Sequence, residues 1–132
     1  MTRSADLGQW LARLDAVLDR VEGLLPPPPV QPDWQASVAF RWKVQNGHGI
    51  LLPVLRPHRI RLSDLRGINP QKALIDTNTR QFVEGRPANN VLMTGARGTG
   101  KSSLVKAVLN RYSRQGLRLV EVDKNDLMSL TD

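Results

Sequence analysis

The stretch Gly95-Ala96-Arg97-Gly98-Thr99-Gly100-Lys101-Ser102 matches the phosphate-binding pattern G-x-x-x-x-G-K-[ST] at every fixed position. The apolar run Val91 to Thr94 precedes it and predicts a short buried strand. Apolar residues recur at helical spacing after it and predict a helix from about Gly100 to Arg114. At such a junction the glycines let backbone N–H groups turn toward a phosphate, and the positive end of the helix faces the same anion. The stretch therefore predicts an α/β fold of the P-loop NTPase type.

The chemistry of the loop predicts a nucleoside triphosphate with Mg²⁺ as its ligand. Lys101 is expected to reach the outer phosphates, and the hydroxyl of Ser102 is expected to ligate Mg²⁺. Arg97 occupies a variable position, and we expect it to point to solvent. The predicted nucleotide-binding residues are Gly95, Ala96, Arg97, Gly98, Thr99, Gly100, Lys101, Ser102 and Ser103. The alternative is a glycine-rich turn that binds nothing.

Composition restricts the class of protein. The chain has 132 residues, of which 40% are hydrophobic, enough for one compact domain with a core. It contains no cysteine, which excludes disulfides, thiolate metal sites and a cysteine nucleophile. Charged residues interrupt the N-terminal segment, so it does not resemble a secretory signal, and no apolar run approaches the length of a membrane span. These features predict a soluble cytoplasmic protein with no membrane partner.

The net charge of +7 favours polyanionic partners in general. The basic residues are densest at Arg56, Arg59, Arg61 and Arg66, beside His58, and no nucleic-acid-binding motif accompanies them. We therefore expect a solvated basic linker there, and nucleic acid is the third choice of partner.

The N-terminal segment predicts an amphipathic helix that ends near Gly23. Asp6 and Gln9 have the spacing of a capping box. The apolar residues that hold the helical period are Leu7, Trp10, Leu11, Leu14, Val17, Leu18, Val21 and Leu24. We expect this stripe to be an internal packing face rather than a partner or membrane surface. Pro26 to Pro29 then predict an extended spacer.

The middle of the chain predicts a hairpin and a helix. Alternating apolar residues from Val38 to Val44 and from Ile50 to Val54 flank Asn46-Gly47, which predicts two strands joined by a tight turn. Pro53 restricts the second strand to an edge or an early end. Asn69-Pro70 predicts the start of a helix over about 70 to 84. A strand from Leu117 to Val122 after the P-loop helix would complete one βαβ unit.

Several segments together resemble a known family. They are Phe40-Arg41-Trp42, Pro57-His58-Arg59-Ile60, Leu65-Arg66-Gly67-Ile68, Asn78-Thr79-Arg80-Gln81-Phe82, Gly85-Arg86-Pro87-Ala88-Asn89-Asn90-Val91-Leu92 and Gly116 to Lys124. With the P-loop, they resemble an uncharacterised bacterial ATP-binding family, a domain of unknown function, in the AAA+ superfamily. The resemblance implies an AAA+ nucleotide-binding core, ATP with Mg²⁺ as ligand, adenine contacts near Leu65 to Ile68, and self-association as in AAA+ proteins.

The sequence patterns, together with this resemblance from about residue 36 onward, give the expected organisation. We predict a helix at 1–25, a proline-rich linker at 26–35, a β-hairpin with a basic linker at 36–62, and the N-terminal part of an AAA+-like nucleotide-binding domain at 63–132. Family members carry a Walker B acidic pair, a sensor and an arginine finger beyond the second strand. The chain is therefore expected to be truncated before these groups, to bind ATP, and not to hydrolyse it alone.

Two other functions stay open at this point. One is a non-catalytic interaction module in which the helix and hairpin bind a partner and the P-loop is vestigial. The other is a P-loop kinase-like protein, in which Glu121 or Asp123 at the end of the second strand would hold Mg²⁺.

Overall fold

The computed structural model describes residues 2–26, 28 and 31–131. The chain divides into two compact units, Met1–Val30 and Gln31–Asp132. The predicted proline-rich spacer spans the point of division, and its residues 27, 29 and 30 lie outside the described ones.

The first unit contains one helix, α1, at Thr2–Leu24, which ends one residue beyond the predicted stop. The apolar stripe runs along it with its side chains exposed, from 46% at Val21 to 86% at Leu24. No other described element belongs to this unit, so the internal packing predicted for the stripe is not made within it. Neither α1 nor any other helix in the described ranges has the length and apolar content needed to span a membrane.

The second unit is mixed α/β and contains the predicted hairpin. Strand β1 at Ala39–Gln45 pairs antiparallel with β2 at His48–Pro53. Asn46 and Gly47 form the turn between them with positive φ values of 52° and 78°, the backbone that a tight hairpin needs. As predicted, β2 ends at Pro53 and lies at an edge of the sheet.

The predicted βαβ unit is wrong in its first strand. Residues 91 to 94 form no strand, and the three-stranded sheet has the order β2-β1-β3. Strand β3 at Leu119–Val122 takes β1 as its parallel partner instead, with Ala39 opposite Leu119. An apolar run becomes a strand only where a neighbour accepts its backbone hydrogen bonds, and the described residues offer none to this segment.

Two helices form the remaining framework, both close to their predicted ranges. Helix α2 occupies Asn69–Val83 with Pro70 in its first turn, and α3 occupies Lys101–Tyr112. Short 3₁₀ turns occur at Leu62–Asp64, Ser113–Gln115 and Lys124–Thr131.

The core of the second unit is built around α3. Leu104, Val108 and Tyr112 recur at four-residue spacing on one face and are each at least 95% buried. Partly buried apolar side chains surround them, namely Leu62, Leu65, Ile68, Ile75, Val83, Met93 and Leu117. The start of α3, and with it the end of the P-loop, is thereby held by hydrophobic packing.

A polar contact also joins α2 to α3. The Tyr112 hydroxyl donates to Asp76 Oδ1 over 2.7 Å, and Arg111 Nε lies 3.2 Å from the same oxygen. Burial raises the pKa of the Tyr112 phenol above its usual value of 10.0. The hydrogen bond to Asp76 and its negative charge raise that pKa further, while Arg111 acts in the opposite direction.

Candidate phosphate-binding site

The glycines of the loop adopt backbone conformations that other residues avoid. Gly98 and Gly100 have φ values of 84° and 88°, and Gly100 caps the N-terminus of α3. These left-handed residues turn the chain sharply, so that Lys101 becomes the first helical residue. A side chain at either position would strain the backbone although the space around it is open.

The loop folds onto its own carbonyl groups. The Lys101 ammonium donates to the carbonyl of Gly95 and, over 3.0 Å, to that of Ala96. Thr99 Oγ1 donates to the Ala96 carbonyl over 2.7 Å. Gly95 leaves room for this closure, because a Cβ there would lie 3.0 Å from Thr99 Oγ1 and 3.7 Å from Lys101 Nζ. The positive charge is therefore held across the loop.

Four backbone N–H groups of the loop and the first turn of α3 have no acceptor among the described residues. The N–H groups of Gly98, Gly100, Lys101 and Ser102 donate to no atom of the described residues. The first N–H groups of a helix have no partner inside it, and here no capping side chain replaces one. The site thus combines unpaired donors, a helix N-terminus and an ammonium group, all of which favour an anion.

The remaining predicted residues lie around this centre. Ser102 and Arg97 are exposed, and Ser103 is half-buried on the first turn of α3. Ser102, at the start of α3, is therefore accessible from solvent.

A cleft of about 650 Å³ extends from the loop along α2. Gly95, Thr99 and Lys101 form one end, and Ile68 and Ile75 supply apolar surface further along. Ile68 is the part of the predicted adenine-contacting segment that reaches this cleft. Leu65 instead packs against the α3 core and is not in the lining.

Side-chain hydrogen bonds hold the segment that leads into the loop. Asn78 on α2 donates from Nδ2 to the Asn89 carbonyl and accepts the Asn89 N–H at Oδ1, each over 2.8 Å. This pair of bonds satisfies both backbone groups of Asn89, as a neighbouring strand would. It positions the segment that ends at Gly95, and no local sequence signal predicts it, since the partners are 11 residues apart.

A second anchor holds the turn before α2. Lys72 Nζ donates to the carbonyls of Leu62 and Leu65, over 3.0 and 2.6 Å. These bonds fix the 3₁₀ turn against α2, and the chain continues from there to Ile68 in the cleft.

The carboxylates of β3 have partners elsewhere. Glu121 forms an ion pair with Arg41 across the parallel strands, with an N–O distance of 3.3 Å. Asp123 Oδ1 accepts the N–H of Asn125 at the start of the last 3₁₀ turn. In the described ranges no three acidic, histidine or cysteine side chains cluster as a metal site would require.

Basic residues meet in a smaller cleft that the sequence does not reveal. His58 and Arg59 line a space of about 150 Å³ together with Lys106 and Arg114 of the α3 region. No carboxylate lines it, and His58 and Arg59 are exposed, as expected for a solvated basic linker. The fold brings together residues that are about 50 positions apart in the chain.

The comparisons with known proteins identify a family. A family model described as "Protein of unknown function (DUF815)" matches residues 35–132, and the chain belongs to that family. The match covers nearly all of the second unit and leaves α1 outside it. Neither the curated proteins nor the solved structures include a match.

Proposed function

We propose that this member of the DUF815 family binds a Mg²⁺-nucleoside triphosphate through Gly95 to Ser103, on a nucleotide-binding core of the AAA+ type. The observation that carries the proposal is the coincidence of unpaired N–H groups, left-handed glycines and the Lys101 ammonium at the start of α3. A turn that only connects two segments does not need unpaired donors and a positive charge at the same place.

The phosphates would take over the Lys101 ammonium from the carbonyls of Gly95 and Ala96. A charged phosphate oxygen is a stronger acceptor than a neutral carbonyl such as that of Ala96, to which the ammonium now donates. The unpaired N–H groups would bind the phosphate oxygens that the ammonium does not contact. Mg²⁺ neutralises phosphate charge, and the Ser102 hydroxyl is the protein ligand that we assign to it.

The base and ribose would lie in the adjoining cleft beside Ile68. ATP is the nucleotide that we propose, because the resemblance to AAA+ proteins concerns ATP-binding members. Apolar surface from Ile68 and Ile75 suits a planar base, and the amide of Gln71 in the lining supplies polar groups.

The proposed activity is binding and not turnover by this chain. In the described ranges Glu121 and Asp123 have other partners, and no acidic cluster faces the loop. Phosphoryl transfer needs positioned carboxylates and an arginine finger that stabilises the transition-state charge. The arginine finger by itself changes the rate by about 10³ to 10⁵. We expect phosphate release from ATP at the uncatalysed background.

The test is calorimetric titration with Mg²⁺-ATP, Mg²⁺-GTP and Mg²⁺ alone. Replacing Lys101 by Ala removes one charge-assisted contact to phosphate, which costs about 1.5 to 3 kcal/mol. Binding of ATP should therefore weaken about 10- to 150-fold.

Lys106→Ala is the matched control, because it removes a lysine of the same helix that lies in the basic cleft and not in the loop. Equal affinity of the parent and Lys101→Ala would show that the loop is not the phosphate site. Equal losses in the two variants would show a general charge effect.

A further inference from the structure

Helix α1 carries a strict seven-residue repeat. Its apolar side chains fall into three series with that spacing, namely Leu7, Leu14 and Val21; Trp10, Val17 and Leu24; and Leu11 and Leu18, which Leu25 continues one residue beyond the helix. This repeat places the apolar residues on one continuous stripe along the helix, wide enough for a second helix to cover. All nine side chains are between 46% and 86% exposed.

The charges on the two sides of the stripe have opposite signs. Taking Leu14 as the centre of the stripe and about 100° per residue, Arg13 and Arg20 lie about 100° to 120° to one side, and Asp6 near the start of the helix lies about 80° to the same side. Asp15 and Glu22 lie about 80° to 100° to the other side. Between Arg13 and Glu22 the stripe therefore has one basic edge and one acidic edge.

This asymmetry selects the orientation of a partner helix that is identical in sequence. In a parallel pair the basic edge of each helix faces the acidic edge of the other. In an antiparallel pair each edge faces an edge of the same charge. Arg13 and Asp15, and likewise Arg20 and Glu22, differ in height by only about 3 Å along the axis. A parallel second copy therefore satisfies both edges at once.

We propose that α1 associates in parallel with α1 of a second copy of this chain, burying the nine-residue apolar stripe. A membrane surface fits less well, because the charged residues of the helix between Asp6 and Glu22 are four acidic and two basic. Anionic lipids repel such a polar face. The proposal does not depend on nucleotide binding, since α1 belongs to the other unit and lies outside the family match.

The first experiment measures the mass of the full chain in solution at micromolar concentration, by light scattering or sedimentation. The parent should have at least twice the 14.7 kDa mass of one chain. Leu14→Glu places a charge in the centre of the stripe and should weaken association roughly 100-fold or more. Ala16→Glu adds the same charge on the opposite face and should leave the mass unchanged.

Circular dichroism of both variants establishes that α1 remains helical. A monomeric parent, or an assembly that Leu14→Glu does not weaken, would overturn the proposal. Lys101→Ala should keep the parent mass, and an assembly that depends on Lys101 or on added nucleotide would assign the contact to the second unit.

The second experiment tests orientation by disulfide formation, since the chain has no cysteine of its own. Leu7→Cys lies near one end of the stripe, so only a parallel pair brings the two introduced thiols within the 7 Å Cα separation that a disulfide needs. Oxidation should convert this variant to a covalent dimer. Cross-linking only in a mixture of Leu7→Cys and Val21→Cys chains would show an antiparallel pair. Binding to anionic vesicles by a chain that is monomeric without them would show a membrane surface instead.

Discussion

Strand β1 and the segment 91 to 94 are both apolar runs that the sequence predicts as strands, and only β1 is one. Phe40 in β1 is 1% exposed, and its backbone has a strand on each side. Leu92 is 88% exposed, and its segment has no neighbouring strand among the described residues. The difference shows that apolar character alone does not make a segment a strand. A neighbouring strand must also be present to accept its backbone hydrogen bonds.

The two regions are also held by different forces. Burial of Ala39 and Phe40 and the edge-on contact between Trp34 and Phe40, at 5.1 Å between ring centres, stabilise β1. The segment before the P-loop depends on the Asn78 amide and on the partly buried side chain of Met93. Substitutions in each region should therefore have unequal effects on stability.

The largest effect should come from Phe40→Ala. Truncating a buried aromatic side chain leaves a cavity and costs about 3 to 5 kcal/mol. Leu92→Ala, its counterpart in the second region, should change the free energy of unfolding by less than about 0.5 kcal/mol, since the side chain is exposed. Urea denaturation of both variants measures the difference. Similar losses would mean that segment 91 to 94 is packed as tightly as the sheet.

Tyr112→Phe should have an intermediate effect on the helix pair that supports the P-loop. It removes a hydrogen bond to an ionised carboxylate and should cost about 1.5 to 3 kcal/mol at neutral pH. Arg111 still pairs with Asp76 in the variant, which argues for the lower part of that range.

The same residue should make stability fall at high pH. The unfolded chain loses the phenol proton near pH 10, and the raised pKa of Tyr112 keeps the folded chain protonated beyond that point. The free energy of unfolding should therefore decrease as pH rises above about 10, with a component that Tyr112→Phe lacks. Tyr112 is the only tyrosine, so phenolate absorbance follows its ionisation directly. Ionisation at the ordinary pKa would show that the phenol is accessible to water.

Asn78→Ala should have a smaller effect on stability than Tyr112→Phe. It releases the backbone of Asn89 at a surface position, which we expect to cost about 1 kcal/mol. Its effect on Mg²⁺-ATP affinity should be clear nonetheless, because the loop loses the anchor that precedes Gly95. Asn78→Asp keeps the acceptor for the Asn89 N–H and should retain part of the affinity. Unchanged affinity in both variants would show that the hydrogen bonds between Asn78 and Asn89 do not position the loop.

The sequence predicts the parts of this molecule that depend on local rules. Asn46-Gly47 predicts the hairpin, Asn69-Pro70 predicts the start of α2, and the glycines of the loop predict the start of α3. In each case the residue types themselves favour the backbone conformation that is observed. The pairing of β3 with β1 is not predictable in this way, because it joins Ala39 to Leu119 and depends on which edge is left open. The site divides similarly. The motif predicts the loop. The hydrogen bonds between Asn78 and Asn89 and the basic cleft of His58 and Lys106 are not predicted, because their residues come together only in the folded chain.

The parallel pairing of β1 with β3 has a consequence during synthesis of the chain. Gln45 completes β1, and Leu119 begins β3 74 residues later. At about 5 to 20 residues per second, a ribosome needs roughly 4 to 15 s to supply those residues. Throughout that interval the hairpin can already exist while one edge of β1 has no strand beside it. During this interval the unpaired edge of β1 can pair with the same edge of another nascent chain on a neighbouring ribosome. A chaperone that covers a strand edge would prevent such pairing at this stage.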